Sequence, residues 1–128
     1  MTTSSAIRHT STLTVDDHNT AMAIGSGDLP VLATPALVAL MENAAMLAAR
    51  QLLSEGETTV GGHIDVKHLK PSPIGATIST EATLDSRTDK QLTFKIVAKQ
   101  SDLIVGEAVH TRFIVNSSRF MERIPSPV

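Results

Sequence analysis

Between positions 34 and 54 the sequence demands a buried helix, and that demand limits everything else the chain can form. Of the 20 residues after Thr34, 14 are Ala, Val, Leu or Met, none is Gly, and the single Pro stands at the start. Thr34-Pro35 predicts an N-cap followed by Pro at the first helical position, where its missing N–H costs nothing, and Gly56 is placed to stop the helix. The apolar residues surround the axis until Arg50 and Gln51, so one face cannot bury them all. A membrane span is the competing explanation, but it takes roughly 20 largely apolar residues. Here Glu42 and Asn43 interrupt the run after six residues.

After Gly56 the apolar pattern changes from helical to alternating. Ile64, Val66 and His68 share one strand face, Ile78, Thr80, Ala82 and Leu84 another, and Leu92, Phe94, Ile96 and Ala98 a third. Pro71-Ser72-Pro73-Ile74-Gly75, a polar loop over 85–90 and a tighter Gln100-Ser101-Asp102 turn separate them, which predicts antiparallel strands. A last strand is expected from about Leu103 to Asn116, with Gly106 at a bulge. Leu13 and Val15 suggest a short edge strand after a polar tail over 1–12, leaving 13–128 as a single domain. One long apolar helix followed by hairpin-linked strands is an α+β layout in which a sheet lays one face over the helix. Few residues remain to cover the helix's other side, which favours a homodimer.

Composition narrows the function. The net charge is -2 and no segment gathers the Lys and Arg that follow a phosphate backbone. Aromatic residues make up 2% of the chain, too few for a base-stacking platform, so nucleic acid is not an expected partner. With no Cys, thiolate catalysis, disulfides and cysteine-ligated metals drop out together. The N-terminal stretch lacks the apolar core of a secretory signal, so a cytoplasmic location is the default expectation, with no membrane partner.

Glu42 is the most informative position. Its helical neighbours Val38, Ala39, Ala45 and Met46 are all apolar, so a partner must come from the tertiary structure. Such a carboxylate either ties the helix to its surroundings or serves in catalysis. His68 points inward with Ile64 and Val66, where it is either a hydrogen-bonded core residue or an acid–base partner for Glu42. Thr34 has an ordinary explanation as a cap, and a second as a hydroxyl at the positive end of a buried helix. His63 and His68 face opposite sides of their strand, so no metal site is expected from them. His110 is expected on the face that carries Ile104 and Ala108, as a structural residue or one that supports a site from behind.

The run Thr34-Pro35-Ala36-Leu37-Val38-Ala39-Leu40-Met41-Glu42, with Thr59-Val60-Gly61-Gly62-His63-Ile64-Asp65-Val66-Lys67-His68-Leu69 and Pro73-Ile74-Gly75, resembles the thioesterase superfamily branch that contains fluoroacetyl-CoA thioesterase. The resemblance implies a hotdog fold, an antiparallel sheet wrapped around one long central helix, with two subunits joining their sheets. It implies an acyl-CoA thioesterase hydrolysing a small acyl thioester in a pocket at the dimer interface, with Thr34, Glu42 and His68 as the catalytic set. Gly61 and its neighbour Gly62 would border the acyl group, and no cofactor is expected, CoA being part of the substrate. The branch's fluoroacetyl-selective enzyme carries a phenylalanine lid upstream of the threonine. Here the stretch reads Gly25-Ser26-Gly27-Asp28-Leu29-Pro30, so the resemblance carries general hydrolysis rather than that selectivity. Lys67, Lys70, Arg87 and Arg112 are candidates for the CoA phosphates. The alternatives are a non-catalytic acyl-CoA binding module and a hydratase, both on the same fold.

Overall fold

A computed structural model describes residues 6–128. The long helix, α2, spans Thr34–Ala49 and follows a short α1 at Ala21–Ile24. Five strands, β1 (Arg8–Thr14), β2 (Glu57–His68), β3 (Thr77–Thr88), β4 (Gln91–Gln100) and β5 (Leu103–Asn116), form one antiparallel sheet in the order β1-β3-β4-β5-β2, and α3 (Ser117–Glu122) closes the chain. The sheet curls around α2, the hotdog arrangement.

The helix lies chiefly against β1 and β3, burying Leu37, Leu40, Met41, Ala44, Ala45, Ala48 and Ala49. Opposite them stand Ile78, Thr80 and Ala82 of β3 and Leu92, Phe94, Ile96 and Ala98 of β4, the inward faces expected from the alternation. Gly106 permits close approach: a Cβ there would come within 3.0 Å of Leu37 and 3.2 Å of Met41. Its other side is open. Ala39 is exposed and Val38, Met46 and Leu47 are half-buried, so the apolar surface expected to need a partner is uncovered in the single chain.

Several boundaries differ from expectation for local reasons. The helix stops at Ala49, tightens into a 3-10 turn over Arg50–Leu52, and is extended by Leu53. Gly56, with φ of 83°, turns the chain into β2 rather than capping the helix. The β3–β4 hairpin is longer than its apolar pattern, because strand pairing continues past the core through Thr88 to a turn at Asp89 and Lys90. The first strand starts at Arg8, so 8–12 belong to the sheet, while residues 1–5 of the expected tail lie outside the described residues. The bulge in β5 falls at Val105, beside Gly106. That slip leaves Ile104 exposed while Ala108 and His110 turn inward, so Ile104 does not share their face.

Candidate functional site

The cap expected of Thr34 is absent. Ala33 holds the N-cap backbone geometry, no side chain caps the helix, and Thr34 lies within the first turn. Its Oγ1 instead meets Nδ1 of His68 at 2.7 Å, joining the start of α2 to the end of β2. Nε2 of His68 is buried without a partner among the described residues. A hydroxyl and a ring nitrogen can each donate in this bond, according to the tautomer of His68. Burial pushes the His68 pKa down, favouring the neutral ring. Val31, Thr34, His68, Leu69, Lys70 and Pro71 line a cleft of about 270 Å³ here.

Glu42 belongs to a second cluster. It lies two helical turns from Thr34, about 12 Å along the axis at ~1.5 Å per residue, and makes no hydrogen bond to Thr34 or His68 among the described residues. Its company is Gly61 of β2 and His110 and Arg112 of β5. A Cβ on Gly61 would lie 2.9 Å from Glu42 Oε2, 3.1 Å from His110 Cε1 and 3.3 Å from Arg112 Nη1. Glycine at 61 therefore lets a carboxylate, an imidazole edge and a guanidinium converge on the backbone of β2. A bulge at Gly62 keeps both clusters on the inner face, since Thr59 and Gly61 precede it and Ile64, Val66 and His68 follow it.

Gly62 is bare for a packing reason of its own. A Cβ there would collide with the Phe113 ring, so its bareness serves packing on the outer face. Arg112 is also not a surface cation awaiting phosphate. It is buried, its Nε donates to Thr59 Oγ1 at 2.8 Å and its Nη2 to the Thr59 carbonyl at 3.0 Å. The inward alternation of Ala108, His110, Arg112 and Ile114 was the signal that could have placed it. Of the remaining phosphate candidates, Lys70 lines the Thr34–His68 cleft, and Arg87 donates to the Asp89 carbonyl at 3.4 Å at the far hairpin. Asp16, Asp17 and His18 bring metal-ligand atoms within 4.8 Å of one another on an exposed loop, a grouping common without an ion.

Among the described residues no helix is long and apolar enough to cross a membrane. The family model described as "Fluoroacetyl-CoA-specific thioesterase" matches residues 15–118. The fluoroacetyl-CoA thioesterase of Streptantibioticus cattleyicolor is 30% identical over 94 residues, covering 73% of this chain and 68% of that protein. A crystal structure of a variant of the fluoroacetyl-CoA-specific thioesterase superimposes with a TM-score of 0.85 at 26% identity, over 96% of each chain. A threonine-to-serine variant of that enzyme in complex with acetyl-CoA gives a TM-score of 0.85 at 25% identity, over 94% of this chain and 96% of that one.

Proposed function

The chain belongs to the fluoroacetyl-CoA-specific thioesterase family and is a thioester hydrolase, and from that premise we propose that it hydrolyses a small acyl-CoA through Thr34, Glu42 and His68. The observation that carries the reading is the convergence at Gly61. With no side chain there, Glu42 Oε2 and Arg112 Nη1 both approach the same stretch of β2 backbone, which brings an attacking carboxylate and a fixed cation to one place. The relative's complex with acetyl-CoA, and another with fluoroacetate and CoA, support a substrate of that size.

A thioester carbonyl is already electrophilic, so the protein's task is to present a nucleophile and stabilise the oxyanion. Glu42 attacks the thioester carbon directly, breaking the C–S bond to release CoA thiolate and leaving a transient anhydride that water hydrolyses, or it deprotonates a water whose addition to the carbonyl expels the same thiolate. Single turnover in isotopically labelled water separates these routes, because label enters Glu42 only by way of the anhydride. His68 orients Thr34 through the 2.7 Å bond; with Nδ1 as the donor, the threonine hydroxyl proton serves the substrate or the carboxylate. Lys70, at the cleft mouth, meets the anionic end of CoA.

The two clusters are completed by a second copy. Strand β2, 12 residues long, is one of the sheet's two edges, and the open side of α2 carries Ala39 and Glu42. Pairing two such edges antiparallel runs the His68 end of one β2 towards the Gly61 end of the other. A two-fold dimer thus sets the Glu42 of one subunit against the Thr34 and His68 of its partner.

The test is thiol release from a panel of short, branched and aromatic acyl-CoAs, with Glu42→Ala and His68→Ala beside the wild type. The reading predicts a preference for the short chains and a loss of about 100-fold or more in each variant. Undiminished turnover in both variants overturns the site; failure to hydrolyse any thioester overturns the function.

A further inference from the structure

The polar chain behind Gly61 goes further than the reaction so far described. His110 is 1% exposed, and its Nδ1 lies 2.7 Å from the carbonyl oxygen of His63. A carbonyl can only accept, so Nδ1 carries the ring proton. Nε2 is then a bare lone pair, and it faces Arg112 Nη1 at 3.1 Å, a group that can only donate. Two bonds of fixed polarity thus select one neutral tautomer. With Thr59 accepting from Nε and Nη2, all three guanidinium nitrogens of Arg112 have a fixed acceptor, and Nη1 lies 3.3 Å from the point a Gly61 Cβ would occupy.

We propose that His110 is a positioning residue for thioester hydrolysis, a neutral acceptor that holds Arg112 so that its Nη1 faces Glu42 and the acyl carbonyl beside Gly61. This rests on the proposed function. A residue serving only to fill the core would need no acceptor, whereas aiming a guanidinium within a buried site needs one on each nitrogen. The charged and titratable groups around His110 fit the same duty. Arg112 from β5 and His63 from β2 oppose a second positive charge on the ring, and burial opposes it most. Glu42 from α2 and the His63 carbonyl work the other way, and the balance keeps the pKa below its usual value.

The experiment is a kinetic cycle on the full-length protein with a short acyl-CoA, using His110→Leu, His110→Gln, Arg112→Lys and the His110→Leu/Arg112→Lys double variant. Glu42→Ala serves as the control for the underlying function. His110→Leu removes the acceptor and is expected to lower kcat by as much as about 100-fold, the scale of a misplaced catalytic group, with KM changed far less. His110→Gln offers an amide oxygen to Nη1 and should recover most of the loss. The double variant should be no slower than Arg112→Lys alone, because His110 acts through Arg112.

Unchanged kcat in His110→Leu overturns the proposal, as does a double variant whose losses multiply. If Glu42→Ala stays fully active, the underlying function fails instead, and the two failures are thereby distinct. Should His110→Leu not fold, nitrogen NMR of the wild-type imidazole decides: a protonated Nδ1 with a bare Nε2 supports the proposal, and the opposite tautomer overturns it.

Discussion

At the scale of single residues, Gly61 is the point on which the site turns. Its missing side chain is what lets Glu42, His110 and Arg112 crowd against one point of β2. Gly61→Ala is expected to leave the protein folded, because the displaced group is the end of a flexible side chain, while cutting kcat/KM by at least about tenfold, or ~1.4 kcal/mol of transition-state stabilisation. Circular dichroism with steady-state kinetics checks both halves. Lys70→Ala should behave otherwise, raising KM for acyl-CoA several-fold with kcat unchanged, an effect that shrinks as salt is added. His110 and His68 both have folded pKa values pushed below that of an exposed histidine by burial. The unfolded chain therefore binds more protons than the folded one as pH falls below about 6.5, the unperturbed histidine value. Their contribution to stability is present above that pH and is lost as pH drops towards the folded values. Melting temperature measured from pH 7 down to pH 5 should fall less steeply in His110→Gln than in the wild type.

At the scale of elements, the sequence was most legible where a face repeats. The run that forms α2 and the alternating faces of β3 and β4 could be read directly, because burial imposes a period on apolar residues. Ends were less legible. The β3–β4 hairpin extends beyond the core, where pairing persists without apolar alternation, and α2 stops before its apolar composition does. The candidate site was legible as a set of residue types and only partly as a set of contacts. Glu42 stood out by lacking a partner on its helix, yet the groups it meets lie on β2 and β5, remote in sequence. Thr34 read as a cap because a cap and a ligand of His68 use the same residue at the same place. Gly106 is where the elements press closest. Gly106→Val should destabilise the fold by about 1–3 kcal/mol by overpacking Leu37 and Met41, read as a shift in the urea midpoint with the slope unchanged.

At the scale of the whole molecule, the single chain holds the proposed catalytic residues in two separate clusters and leaves apolar surface uncovered. Thr34 and His68 meet at one end of α2, Glu42 meets Gly61 and Arg112 two turns on, and both the β2 edge and the outer side of the helix are open. The proposed dimer would cover exposed apolar area and bring the two clusters together at once, so stability and activity should share one concentration dependence. The most direct measurement is complementation: Glu42→Ala and His68→Ala proteins are prepared separately, dissociated, mixed in equal amounts, reassociated and assayed for thiol release. Each parent should be nearly inactive. Half of the randomly formed dimers would be mixed, each with one intact site of two, so the mixture should recover about a quarter of wild-type activity. A mixture that exchanges subunits and yet stays as inactive as its parents contradicts a site shared between subunits.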